Sequence, residues 1–532
     1  MTARAIQMFQ QVHRATTRPP VFIGAFLVIL VLMAAVAIVF GYDSVDSWYY
    51  MMLAHGLRHG QLCGLDGQYA AIYPCGYPAA LALTAPSSSL TWLMVSSKVT
   101  NLLLLAASGY FIWKASNNPL VAAAAILNPI VIHIGLYTWS ENLLFFCTSG
   151  AFFAISRLEH SGVMRDRVLL GAFLVIGCFA RYVFGPFAFI LFCCAWLAYG
   201  RPTAIRALPS FCVAGVVFLA YQGINHWLTG FGTGMPRVPA PETFFLLVSS
   251  FIQAMAGMIV MIAIGLILLI GAAWTEVRAS TWPRRNAPAL FLLTAGLGFL
   301  ALGFVLRART LFDPFGVRTL GYGVALAAAG LVGLFVDLRR PQVYPALGVI
   351  ACGLFSLIFA DGNALPSMTR DMLNGHYLFP PSAFDKLKFH GPPADVMVYF
   401  VLPDPDGDIG VVDTVEDIYY GPSTNLLSPR AGPDNTPQTA KSFLHDLQGE
   451  ENKRCYFDFT PFATADDFKD YLDSSTLTDQ SFSLIPGKTN STFKLNLDPS
   501  VRAWLAAVAQ PGKLVSCRDV LANPATRAAE AG

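Results

Sequence analysis

"VFIGAFLVILVLMAAVAIVFG", residues 21 to 41, has no charged side chain over 21 residues. At about 1.5 Å of rise per residue, a helix of that length spans a hydrocarbon core of roughly 30 Å. The rest of the chain matches it: 55% of the residues are hydrophobic, 13% are charged and the mean hydropathy is +0.53. Such values lie outside the range of soluble domains and define an integral membrane protein. The basic leader (Arg4, Arg14, Arg18) and the small triplet Ala35-Val36-Ala37 would suit a cleaved signal peptide. The apolar run continues past that triplet and exceeds a signal h-region, so it is expected to stay as a first crossing.

Further apolar segments follow at 90–113, 118–135, 137–157, 168–182, 184–199, 207–223, 244–272, 288–306, 316–336 and 343–360, which predicts about 11 transmembrane helices. Arg157, Arg165, Arg167, Arg201, Arg206, Arg278, Arg284, Arg285, Arg339 and Arg340 fall in alternate short loops, on the same side as the basic N-terminus. The excess of Lys and Arg makes that side cytoplasmic. The expected organisation is a cytoplasmic tail at 1–20, an all-α polytopic membrane domain at 21–360 with an outer loop at 42–89, and a soluble extracytoplasmic domain at 361–532. This C-terminal part is rich in Pro, Asp, Ser and Thr. Its strand-like runs at 396–403, 454–462 and 513–520 alternate with helix-like ones at 438–448, 464–474 and 499–509, predicting an α/β or α+β fold.

Ten cysteines divide in the same way. Cys147, Cys178, Cys193, Cys194, Cys212 and Cys352 lie in apolar segments and read as small buried hydrophobes. Cys63, Cys75, Cys455 and Cys517 fall on the exported side, where two disulfides, Cys63–Cys75 and Cys455–Cys517, are expected against the alternative of four separate thiols.

Directly after the first crossing comes "YDSVDSWYYMMLAHGLRHG" (42–60), which puts Asp43 and Asp46 at the edge of a bilayer. Acids at a helix end can be a solvated flank. Here Asp46, Tyr50 and Ala54, with Leu53 and Leu57, mark one side of an amphipathic surface helix that would fix Asp46 in its first turn. "YPCGYPAALAL" (73–83) then forces a turn before a second surface helix.

The order Asp-x-x-x-Tyr-x-x-x-Ala, then "YP-x-GYP", "WSE" (139–141) and "ARYVFG" (180–185) resembles the GT-C superfamily of polyprenyl-phosphate-sugar-dependent glycosyltransferases. The similar branch includes rhizobial lipopolysaccharide-core transferases, aminoarabinose transferases and protein O-mannosyltransferases. The resemblance covers roughly residues 20–340 and departs in two places. Many relatives have an adjacent Asp-Glu where this chain has Asp46-Ser47, with its other acid at Asp43. A late Arg-Tyr-x-x-Pro element survives only as "DPFGVR" (313–318). The resemblance implies inversion at the anomeric carbon by single displacement.

Such a reaction needs a general base for the acceptor hydroxyl and cations for the departing phosphate, both at the outer membrane face. Asp46 is the candidate base, and Asp43 either raises its basicity by like-charge repulsion or helps it hold a divalent cation. Lys98, in the outer half of the second crossing, and Arg181, at the outer end of the fifth, are candidate phosphate ligands against the alternative of snorkelling to headgroups. Arg237 and Arg318, framed by Pro or Gly turns, rank next, ahead of Arg58, Arg307 and Arg309. Tyr50, His133 and Glu141 are supporting candidates, with packing the plainer role for His133 and helix capping for Glu141.

The implied partners are a polyprenyl-phosphate sugar donor, an envelope glycan, lipid or protein acceptor, and membrane lipids, at the cytoplasmic (inner) membrane. A secondary transporter or flippase of lipid-linked glycans is the rival, which would call for inverted repeats and helices broken at mid-membrane. A scaffold acting through the tail is a third reading. "PDPDGD" (403–408) sets its Gly410 and Glu416 one place late for an EF-hand. A net charge of +2 gives no reason to expect nucleic acid.

Overall fold

The computed structural model describes residues 19–40, 45–65, 68–69, 71–127, 129–234, 242–255, 286–310, 315–337, 396–401, 443–444, 447–448, 451–458, 491–495, 497, 499–509 and 514–523. The chain divides into two compact units, Met1–Tyr42 with Ala70–Gly375, and Asp43–Tyr69 with His376–Gly532.

The first unit is helical: α1 (Pro19–Phe40), then, after the α2 helix of the second unit (Val45–Arg58), α3 (Gly76–Thr84), α4 (Leu90–Ser116), α5 (Pro119–Ile126), α6 (Pro129–Leu136), α7 (Glu141–His160), α8 (Met164–Ala180), α9 (Phe184–Tyr199), α10 (Arg201–Thr229), α11 (Phe244–Met255), α12 (Ala287–Arg309) and α13 (Val317–Asp337). Among the described residues, α4, α10, α12 and α13 are long and apolar enough to cross a membrane. The α5/α6 pair adds a fifth crossing if its two halves count as one. The expected crossings at 137–157, 168–182 and 184–199 are helical as α7, α8 and α9, of which α8 and α9 have only 17 and 16 residues. The segment at 343–360 lies outside the described residues.

The expected single crossing at 118–135 is instead two short helices meeting at 56°. Pro129 explains the break: it has no N–H for the preceding turn, and it disfavours α geometry in the residue before it. The start of the pair is fixed locally. Asn117 closes α4 in the left-handed region (φ 50°), and the Asn118 side chain accepts from the Leu120 N–H at 2.9 Å, with Pro119 in the first turn.

Glycine permits a close backbone contact between α12 and α13. A Cβ on Gly296 would come within 2.4 Å of the Gly323 carbonyl, and one on Gly330 within 2.4 Å of the Leu293 nitrogen. Small residues let two backbones approach in a membrane, where dispersion rather than water exclusion drives helix association. The apolar window of α13 is 94% buried, which makes it the central helix; that of α10 is 28% buried. The lipid-facing character of α10 also corrects one expectation: Cys212 is exposed and Cys193 half-buried, because these helices turn apolar sides outward, whereas Cys147, Cys178 and Cys194 are buried.

At the far end of α7, Arg157 pairs with the buried Asp166 at 2.8 Å, and Arg206 donates to the Leu158 and Glu159 carbonyls at 3.1 and 3.3 Å. Arg206 therefore covers carbonyls of the helix terminus, where a cation also complements the dipole. Elsewhere Arg307 forms a two-pronged pair with Glu242, at 2.5 and 3.1 Å. The hydrogen bond from Arg307 outweighs burial and holds the Glu242 carboxyl below its ordinary value of 4.5. A depressed folded value means stability that is present above pH 4.5 and lost as pH falls through the depressed value. Arg307→Gln should therefore cost about 1–2 kcal/mol at pH 7 and less at a pH below the depressed Glu242 value. Thermal unfolding in detergent at both pH values is the check, and an equal cost at the two would refute the pairing's role.

The second unit contains α2, a two-stranded ribbon of β1 (Gly64–Leu65) and β2 (Gln68–Tyr69), and a four-stranded sheet. The sheet runs β5-β3-β4-β6, with β3 (Val396–Val401) parallel to β4 (Arg454–Asp458) and β5 (Ser491–Leu495), and β6 (Leu514–Ser516) antiparallel to β4. Helices α14 (Pro499–Val508) and α15 (Cys517–Ala522) complete the described part. Strands were expected at β3, β4 and β6. The run at 513–520 turns helical from Cys517 onward, and β5 was not expected. The helix at 464–474 falls outside the described residues. Tyr399, Phe443, Phe457 and Leu505 form the core, with Tyr399 stacked on Phe457 at 5.0 Å. The Cys455–Cys517 disulfide ties β4 to α15; Cys63 and Cys75 are also disulfide-bonded.

Candidate functional site

In the first unit, α6 ends at Leu136 and a short turn, 137–140, leads into α7. This turn is the hub of a polar cluster. Lys98, on α4 and 1% exposed, donates from Nζ to Thr138 Oγ1 at 3.0 Å. The Ser97 hydroxyl hydrogen goes to the Met94 carbonyl at 2.7 Å, so Thr138 donates to Ser97 (2.7 Å) while its oxygen accepts from Lys98. One turn residue later, Trp139 stacks on Tyr137 at 4.3 Å and carries the Arg318 guanidinium 4.9 Å from its ring centroid.

Glu141 opens α7, where a carboxylate complements the helix dipole. It is buried, and its Oε1 accepts from both Arg181 and Arg318, the latter at 2.8 Å. Its Oε2 is buried without a hydrogen-bond partner among the described residues. Arg181 is the C-cap of α8, a favourable place for a cation. Arg318 is the second residue of α13, where the dipole disfavours one. A cation held against its local preference by a carboxylate 177 positions away points to a demand of the site rather than of the helix.

Lys98, Arg181 and Arg318 set against Glu141 leave two positive charges in excess among these four side chains. The arrangement is suited to an anion that offers several acceptor oxygens. His133 on α6 lies half-buried beside the same turn, 5.3 Å from Tyr137 and 6.3 Å from Trp139 by ring centroids. In the second unit, Asp46 sits half-buried in the first turn of α2, with Tyr50 buried one turn on. Asp43 and Arg237 lie outside the described residues. Of the lower-ranked cations, Arg307 is in the ion pair with Glu242 described above.

Several members of the cluster escaped the sequence reading. Thr138, Asn101, Asn142, Tyr77 and Tyr322 are neutral, and their contacts join positions 24 to 180 apart, a separation no periodicity exposes. A second neutral network lies nearby, where Tyr182 donates to the Ala71 carbonyl at 2.5 Å and accepts from Asn225 at 2.9 Å.

No protein-family model and no curated protein matches the chain. Among solved structures it is similar to a crystal structure of ArnT from Cupriavidus metallidurans bound to undecaprenyl phosphate. The two are 11% identical, with a TM-score of 0.48 over 82% of this chain and 93% of that one.

Proposed function

We propose that the chain is a membrane glycosyltransferase of the GT-C type. It moves a sugar from a polyprenyl-phosphate donor to an envelope glycan, lipid or protein acceptor on the outer face of the cytoplasmic membrane, inverting the anomeric carbon. The observation that carries this reading is the pairing of Arg181 and Arg318 on the single carboxylate of Glu141, with Lys98 held by Thr138 of the turn just before it, in a helical membrane unit. Ionisable groups are expensive at membrane depth and are retained for function, and excess positive charge suits a lipid-linked phosphate. In this reading residues 21–360 form the transferase domain, and the loop at 42–89 and the domain at 361–532 are extracytoplasmic. Asp46 is the general base, Asp43 tunes it, and Arg237 adds a further contact to the phosphate.

The rival flippase calls for broken helices, and the α5/α6 pair is one. The far end of that pair, at the Gly135 and Ile134 carbonyls, is bound by Asn101 and Asn142, which ties α6 to the polar cluster. The two readings part in a deletion strain. A transferase leaves its lipid-linked sugar to accumulate while one specific residue is missing from the envelope glycan. A flippase instead removes the whole translocated glycan.

With the enzyme in hand, Lys98→Gln should raise the apparent KM for donor roughly 10- to 100-fold, the range of one charge-assisted hydrogen bond, with little change in the KM for acceptor. An unchanged donor KM would take Lys98 out of the phosphate site.

A further inference from the structure

The turn that joins Lys98, Arg318 and Glu141 is itself held by two matching pairs of neutral side chains. Asn101 of α4 donates from Nδ2 to the carbonyls of Gly135 (3.2 Å) and Tyr137 (2.7 Å), while its Oδ1 accepts from the Tyr77 hydroxyl at 2.8 Å. Asn142 of α7 donates to the carbonyls of Ile134 (3.3 Å) and Trp139 (3.1 Å), and its Oδ1 accepts from the Tyr322 hydroxyl at 2.9 Å. All four side chains are buried.

The last carbonyls of a helix have no partner within it, and in a membrane they cannot turn to water. The two asparagines supply the donors from opposite sides of the turn in sequence, one from a helix before it and one from the helix after it. Each asparagine is in turn fixed by its tyrosine. An amide flipped end for end would set oxygen against the carbonyls, and the hydroxyl rewards only the orientation that presents nitrogen to them. These bonds exceed what closing a helix end requires. They define where Thr138, the partner of Lys98, and Trp139, the platform under Arg318, stand.

We propose that the Tyr77–Asn101 and Tyr322–Asn142 pairs are positioning residues that set the 137–140 turn and, through Thr138 and Trp139, the spacing of the Lys98 and Arg318 charges that receive a lipid-linked phosphate. The proposal rests on the donor reading above and makes a separate claim. A cationic site tuned to one phosphate must hold its charges to within a fraction of an ångström, and long side chains such as Lys and Arg do not do so alone.

Tyr77→Phe, Tyr322→Phe and the double variant test it in the purified full chain. Each change removes one oxygen and keeps the ring, so the stack of Tyr322 on Phe145 at 4.5 Å is preserved. Binding of undecaprenyl phosphate should weaken roughly 3- to 10-fold in each single variant, the worth of one net hydrogen bond. Binding of undecaprenol, which has no phosphate, should not change. Amide exchange in residues 137–141 should quicken without a matching change in α12. If the wild type binds phosphate and alcohol equally, the donor reading is lost and this one with it. If the wild type prefers the phosphate and the variants keep that preference in full while their Tm falls, the pairs only stabilise the fold and the proposal is overturned. A variant that fails to fold leaves the other single change to decide.

Discussion

Asp46→Asn is expected to lower turnover by about 10²–10⁴-fold, the usual cost of losing a general base, while leaving the protein folded and able to bind donor. The change keeps size and polarity and removes only the capacity to take a proton. Asp46 stands in the first turn of α2, and asparagine is tolerated at helix starts, so the helix itself should persist. Asp43→Asn should cost less if Asp43 only tunes its neighbour. An equal cost, together with loss of activity in a chelator, would instead assign a divalent cation to the two carboxylates. Near-normal turnover of folded Asp46→Asn would remove the assignment and move the base to Asp43 or to Glu141. Glu141 is the weaker substitute, since its Oε1 is already committed to two guanidiniums.

What could be read from the sequence follows from what stands out against an apolar background. Membrane helices were legible because a run without charge is rare by chance, and the ends of α4, α5 and α10 carry Ser, Asn, Pro and Gly where caps require them. Lys98, Glu141 and Arg181 were legible for the complementary reason: a charge inside such a run has a cost that demands an explanation. Arg318 was picked out only by its flanking turn, and its link to Glu141 spans too much chain to be inferred. The α5/α6 break was misread because hydropathy averages over Pro129, which contributes little to the mean yet decides the backbone. The asparagine and tyrosine pairs were invisible, since neither residue type is unusual near a helix end and only the fold brings Tyr322 to Asn142. In the second unit β5 was missed because "STFKL" is short and carries a lysine, so its strand character comes from pairing with β3 rather than from its own pattern.

The same polar cluster sets an order of stability among its members. Glu141→Gln should be the most damaging neutral substitution in it, costing on the order of 3 kcal/mol, whereas Arg181→Gln and Arg318→Gln should each cost about 1 kcal/mol or less. The asymmetry follows from the geometry. Each arginine has Glu141 as its carboxylate, so removing one arginine leaves the acid still paired with the other. Removing the acid leaves two guanidiniums facing each other with no counter-charge from Glu141. Arg181 and Arg318 keep 18% and 24% of their side-chain surface exposed, which holds the expected cost to the low end of that for broken buried pairs. Glutamine brings a second penalty. With its oxygen accepting from the arginines, its amide nitrogen falls where Oε2 is now, a buried place with no hydrogen-bond partner among the described residues. Thermal unfolding of the three variants in detergent ranks them, and a Glu141→Gln protein as stable as wild type would show that the carboxylate is not what holds the two arginines together.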